Sequence, residues 1–322
     1  MLLKEIKEES LVNISLLVNK LTLKTSSTGK EYYDVSLQDK SCETVAKYWD
    51  TDIITKVKPG EVINAKLDAK VYKGTLGFTL KSFELNKLAN PEEYKNSFTP
   101  SENEIKKDLG KYIKFVKENH ERYGKALDML FSMDKEQRFF KYAAAKSVHD
   151  YREGELPYHT LSVVKACEFM AGVALKMYPG ISISLPLLYT AAIMHDFFKL
   201  REYAMNEAGR ADFTEYQLTG HIAEAIKFIG FLEYSQVINK EESLLLTHAV
   251  EAHHGEPEKG SMVCPGTAEA VVLHYADEFM SRMYIIKDEQ IKLNPGEFST
   301  QRNFGLGSVV YLPKKFEAPE ID

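Results

Sequence analysis

Eight of the nine histidines of this chain fall between His149 and His274. Imidazole is the commonest side-chain metal ligand, so such clustering points to metal-dependent chemistry. The sharpest element is Ile193-Met194-His195-Asp196-Phe197-Phe198-Lys199, an apolar run ending in an adjacent imidazole and carboxylate, with a lysine three residues later. Burying such a pair without a metal or polar partners would be costly. Neutral imidazole and carboxylate suit Mn²⁺, Fe²⁺, Co²⁺ or Zn²⁺, and a carboxylate can bridge two ions. A His-Asp dipeptide on its own is most often a helix-end salt bridge, so the residues around it decide its meaning.

Two kinds of element must position these groups. The first ninety residues alternate in short runs predicted as strands at 11–22, 32–38, 43–49, 62–71 and 76–86. Ser26-Ser-Thr-Gly29, Asp39-Lys-Ser41, Pro59-Gly60 and Lys73-Gly74 punctuate them as turns. Five short strands imply a Greek-key β-barrel. Asn90-Pro91 and Thr99-Pro100 mark a connector, after which apolar residues recur at threes and fours, as in Ile105, Leu109, Ile113 and Val116. The expected organisation is a barrel over 1–90, a linker over 91–103 and an all-helical domain over 104–322. Asn239 with Glu242 reads as a capping box, Gly255 as a helix stop and Thr267 as the cap of a helix running to about Met283.

Composition narrows the function classes. The 322 residues are 44% hydrophobic and 27% charged, which suits two globular cores and excludes disorder. The net charge of −6 excludes a broadly basic nucleic-acid binder, so any polyanion must meet a local patch or a metal. Residues 1–95 carry 15 Lys against 14 acidic residues, which leaves the remainder about −7 and the barrel the less repulsive part. Cys42, Cys167 and Cys264 form no C-x-x-C pair, which argues against disulfides and thiolate zinc. The stretch 177–194 is broken by Pro179, Gly180 and Pro186, so no membrane span is expected, and its second half reads as a buried helix. Met1 to Ser10 carries acidic residues where an export signal needs a basic flank, and the expected location is the cytoplasm.

The histidine pattern resembles the HD-domain superfamily of metal-dependent phosphohydrolases. The resemblance implies His159 as first ligand, His195-Asp196 as the namesake pair and Asp277 as the last. It implies His221, His253 and His254 as holders of a second ion, with Asp196 and Lys199 as catalytic residues. His274, three residues before Asp277, either supports a ligand or is a hydrogen-bonded core residue. His248 falls off the His253 face, His120 reads as surface, and His149 is a candidate for substrate phosphate.

The segment Tyr33 to Asp50, with Val71-Tyr72-Lys73-Gly74-Thr-Leu-Gly-Phe78, resembles a nucleic-acid-binding OB-fold. Such folds stack bases on aromatics while lysines follow phosphates, which makes Lys30, Tyr32, Lys47, Tyr48, Tyr72, Lys73 and Phe78 the substrate-binding candidates. Strand alternation must send some aromatics inward, and Tyr33 and Trp49 are expected to be the buried ones.

An OB-fold followed by an HD domain, with Ala46-Lys-Tyr-Trp49, Ala144-Ala-Lys-Ser-Val-His149, Ala252-His-His-Gly255 and Leu273-His-Tyr-Ala-Asp277, resembles the YhaM family of 3′-to-5′ exoribonucleases. The resemblance implies removal of nucleoside 5′-monophosphates from single-stranded RNA or DNA. It implies one or two divalent ions, Mn²⁺ first, with Co²⁺, Fe²⁺, Zn²⁺ or Mg²⁺ as substitutes, and leaves room for a homo-oligomer. Phe197-Phe198 stands where the family usually has Leu-Gly, which implies a narrowed site or a changed turn. Arg302 to Tyr311 also departs from the family pattern. The competing readings are an HD phosphohydrolase of nucleotides or cyclic dinucleotides and a non-catalytic single-strand-binding protein.

Overall fold

The computed structural model describes residues 1–6, 10–26, 28–72, 75–94, 100–142, 154–205 and 211–314. Five strands form an OB-like closed barrel in the order β1-β2-β3-β5-β4. They are β1 (Ser10–Thr25), β2 (Glu31–Gln38), β3 (Glu43–Tyr48), β4 (Val62–Tyr72) and β5 (Thr75–Leu85), with the one-turn helix α1 (Ile53–Lys56) between β3 and β4. β1 serves two neighbours because it bends. Its first half pairs with β4 and its second half with β2, and the register shifts between Val18 and Lys20. Asn19, at that bulge, is buried and donates to Gln38 at 2.8 Å. A parallel contact of β3 with β5, Ala46 opposite Phe78, closes the barrel around Leu16, Val18, Val35, Leu37, Ile63 and Leu67, all fully buried.

The β3 alternation corrects the expected burial of Trp49. Ala46 and Tyr48 point inward, Lys47 points outward, and Trp49, just past the strand, is 37% exposed. Tyr33 is buried as expected.

The helices α2 (Glu102–Asn119) and α3 (Glu121–Met133) precede α4 (Glu155–Met177) and α5 (Leu185–Met194). The one-turn α6 (Lys199–Glu202) runs into a small hairpin of β6 (Tyr203–Met205) and β7 (Ala211–Phe213). Then follow α7 (Gly220–Tyr234), α8 (Lys240–Glu251) and α9 (Ala268–Gln290). Capping boxes at Ser101 with Glu104 and at Asn239 with Glu242 start α2 and α8. Thr267 caps α9 by accepting from the Ala270 amide, and the helix continues to Gln290, beyond the expected Met283. α5 is buried all round from Leu187 to Met194, as its almost wholly apolar sequence requires. Its Thr190 hydroxyl is satisfied by donating to the Pro186 carbonyl.

The Phe197-Phe198 rings turn into this core. Phe197 stacks on Phe139 with centroids 5.3 Å apart and meets Phe131 edge-on, and Phe198 packs on Phe228. The chain divides into two compact units, the barrel with the segment from Ile286 onward, and the helices between them. Among the described residues no helix is long and apolar enough to cross a membrane.

Candidate metal centre

Five chain segments deliver the histidines and carboxylates. His159 lies in the second turn of α4, and His195 and Asp196 sit where α5 ends and turns sharply. His221 is in the first turn of α7, His253 and His254 follow α8 in a tight turn, and Asp277 is in α9. His159, His195, Asp196 and His253 are almost fully buried.

Two groups result. In the first, His159, His195 and Asp277 converge, with His159 Nε2 3.0 Å and His195 Nε2 4.0 Å from Asp277 Oδ1. In the second, His221, His253 and His254 converge. Asp196 lies between them with one oxygen for each. Its Oδ2 is 3.3 Å from His195 Nε2 and 3.5 Å from His159 Nε2, and its Oδ1 is 3.3 Å from His221 Nε2 and 3.9 Å from His253 Nε2. Ligand atoms on one ion at about 2.0–2.2 Å stand at most about 4.4 Å apart, so these spacings suit shared ions.

Three of the imidazoles are fixed in the tautomer that a ligand needs. His195 Nδ1 donates to the Ala192 carbonyl at 2.8 Å, and His253 Nδ1 to the Val250 carbonyl at 2.6 Å. Both acceptors lie three residues earlier, among the carbonyls that a helix end leaves without intrahelical partners. His221 Nδ1 donates to Glu202 at 2.7 Å. In each ring the proton on Nδ1 leaves a lone pair on Nε2. The Nε2 atoms of His195, His221 and His253 and Asp196 Oδ1 are buried without a hydrogen bond. Four such atoms facing one another would each be costly unless they share a cation, so the donor set fits a divalent metal.

The electrostatics agree. Burial alone would push the Asp196 carboxyl up, but Lys199 and His195 beside it hold it well below the usual carboxylate range. Asp277, also raised by burial, is held low by the hydrogen bond from His159 and the electrostatic attraction of that residue. Burial pushes His253 far down and His254 to about 4, so both are neutral imidazoles at neutral pH, the form that binds metal. Lys199 Nζ donates to Asp196 Oδ2 at 2.7 Å, and that pairing outweighs its burial and raises its pKa.

The remaining histidines have structural partners. His274, buried, donates from Nδ1 to the His253 carbonyl at 2.9 Å and so supports the turn that presents His253. His248 Nε2 accepts from the Gly266 amide, and His120 caps α3 by accepting from the Tyr123 amide. His149 and Lys73, and the side chain of Tyr72, lie outside the described residues. Glu202, which orients His221, has no counterpart in the sequence reading. Its spacing of six residues from Asp196 carries no periodic signal, and its partner lies 19 residues away.

Gly255 is a sensitive position in the same turn. Its φ is +89°, and a Cβ there would meet the His274 ring at 2.3 Å. Gly255→Ala is expected to destabilise the helical unit by about 2–4 kcal/mol, from left-handed strain plus the clash. Urea unfolding measures it, and an unchanged midpoint would contradict the geometry.

On the barrel, the Tyr32 and Trp49 rings meet at a tilt of 34° with centroids 4.9 Å apart. The Lys30 ammonium is 5.7 Å from the Trp49 ring and that of Lys47 5.4 Å from the Tyr32 ring. Tyr48, a substrate-binding candidate by sequence, is instead buried, packs edge-on against Phe83 and donates its hydroxyl to Asp52. Phe78 packs against the barrel core.

No family model matches the chain. It is similar over almost its whole length to several proteins named 3′-5′ exoribonuclease YhaM. That of Geobacillus sp. is 29% identical over 303 residues, covering 92% of this chain and 89% of the relative. That of Bacillus subtilis is 29% identical over 313 residues, covering 95% of each. That of Listeria innocua is 28% identical over 316 residues, covering 95% of this chain and 96% of the relative.

Proposed function

For a chain of the YhaM family, we propose a metal-dependent 3′-to-5′ exoribonuclease that shortens single-stranded RNA, and DNA to an extent that the sugar preference decides, releasing nucleoside 5′-monophosphates. The observation that carries this reading is Asp196, which turns one carboxylate oxygen to each of two ligand groups while four buried polar atoms stand without hydrogen bonds. His159, His195, Asp196 and Asp277 would hold one ion, and Asp196, His221, His253 and His254 a second, with Mn²⁺ the leading candidate. When bound, such ions supply water activated near neutral pH and positive charge against the phosphate.

The residues themselves do the rest. Asp196 and Asp277 remain carboxylates, and His253 and His254 remain neutral, so these four ligands need lose no proton at neutral pH. Lys199, kept protonated by Asp196, places a fixed positive charge where charge builds on the non-bridging phosphate oxygens. We assign hydrolysis to the helical domain from about residue 104 and strand binding to the barrel within 1–90, joined by the linker 91–103.

On the barrel, Tyr32 and Trp49 offer rings for bases, with Lys30 and Lys47 for the neighbouring phosphates. Trp49→Ala is expected to weaken binding of an oligonucleotide about 5- to 150-fold, the worth of one stacked base. Turnover of a dinucleotide should be unaffected. Fluorescence anisotropy measures the first, and unaltered strand affinity would remove Trp49 from the binding surface.

The deciding experiment incubates 5′-labelled single-stranded RNA, and the matching DNA, with the protein plus Mn²⁺ or EDTA. A metal-dependent ladder shortening from the 3′ end supports the proposal. Intact strands under every metal, with binding retained, would overturn it in favour of a small-nucleotide phosphohydrolase or a non-catalytic binder.

A further inference from the structure

We infer that Glu202 is a positioning residue that sets the affinity of the ion position formed by His221, His253 and His254, an inference that rests on the two-ion reading above. Glu202 is buried at the end of α6. One of its oxygens, Oε2, accepts twice from the same residue, from the His221 amide at 3.1 Å and from His221 Nδ1 at 2.7 Å. The first bond satisfies an amide that the opening turn of α7 leaves free and sets a negative charge at the positive end of that helix. The second fixes the His221 tautomer and aims Nε2 at Asp196 Oδ1.

Two other histidines of the centre give the contrast. His195 and His253 are oriented by neutral backbone carbonyls, whereas His221 is oriented by a carboxylate. A carboxylate behind an imidazole raises its basicity as a ligand. The two ion positions also differ in charge. The His159, His195 and Asp277 group contains its own carboxylate, while the His221, His253 and His254 group has only histidines and the shared Asp196. Glu202 supplies the missing negative charge from behind His221. Its main chain is anchored as well, since the Thr214 amide donates to the Glu202 carbonyl at 3.0 Å, tying α6 to the chain that leads into α7.

Glu202→Gln keeps an amide oxygen able to accept both bonds and removes only the charge, whereas Glu202→Ala removes the cap too. The metal-stripped full-length chain is titrated with Mn²⁺ alone, following bound ions by calorimetry and free ions by electron paramagnetic resonance. The wild type should take up two ions. Glu202→Gln should keep the tighter one unchanged and bind the other about 10- to 100-fold more weakly. The Mn²⁺ concentration for half-maximal RNA hydrolysis should rise by the same factor, and excess Mn²⁺ should restore kcat. A purely structural role would give a defect that metal does not repair, and that result, or two unchanged affinities, overturns the inference. A wild type that binds a single ion would instead overturn the two-ion reading.

Discussion

Asp196→Ala is expected to lower RNA hydrolysis by at least about 10³-fold while strand affinity stays within about twofold of the wild type. Among the described residues Asp196 is the one that addresses both groups, so under the proposed assignment its loss removes a ligand from each at once. It also leaves Lys199 buried without its partner, and breaking a buried ion pair from one side costs about 3–5 kcal/mol. Lost activity in the single variant therefore needs a control for folding. Asp196→Ala combined with Lys199→Met removes both charges and should regain most of the stability without regaining turnover. Single-turnover cleavage, circular dichroism and anisotropy separate the three quantities. A variant with near-normal turnover would refute the assignment of Asp196 as a ligand.

Metal removal is expected to have the second-largest effect, on activity and on stability together. The centre faces His195 Nε2, His221 Nε2, His253 Nε2 and Asp196 Oδ1 toward one another without hydrogen bonds. Ions that bind only the folded state stabilise it by about 2.7 kcal/mol each at a hundredfold excess over Kd. For a helical unit of this size, about 2–4 °C accompany each kcal/mol, so Mn²⁺ should raise its Tm by about 5–20 °C over EDTA. The barrel, which contributes none of these residues, should melt unchanged. Calorimetric scans with and without Mn²⁺, Co²⁺ or Zn²⁺ check this, and a helical transition indifferent to all three would count against a metal centre.

Much of the fold was legible because local physics dictates it. The alternating runs of the first ninety residues became five strands within a few residues of their expected limits, and Asn239 and Thr267 start helices through short-range hydrogen bonds, as expected. Trp49 shows the limit of alternation. A period of two sets which residues share a face, but the phase is decided by the partner strands, and Tyr48 rather than Trp49 faces the barrel interior. Phe197 and Phe198 show a similar limit. The sequence places two bulky rings beside the histidine-aspartate pair, and only the packing of Phe139, Phe131 and Phe228 draws them into the core.

For the candidate centre, the sequence determined which residue types cluster and in what order, since imidazoles and carboxylates in a buried apolar setting need polar partners or a cation. Tertiary structure alone decided which Asp196 oxygen meets which group, and that Glu202 stands behind His221. Those are contacts between separate elements of the chain, closed by helix packing. Spacing along the chain records the face a side chain occupies on its own element and carries no information about the element that comes to meet it.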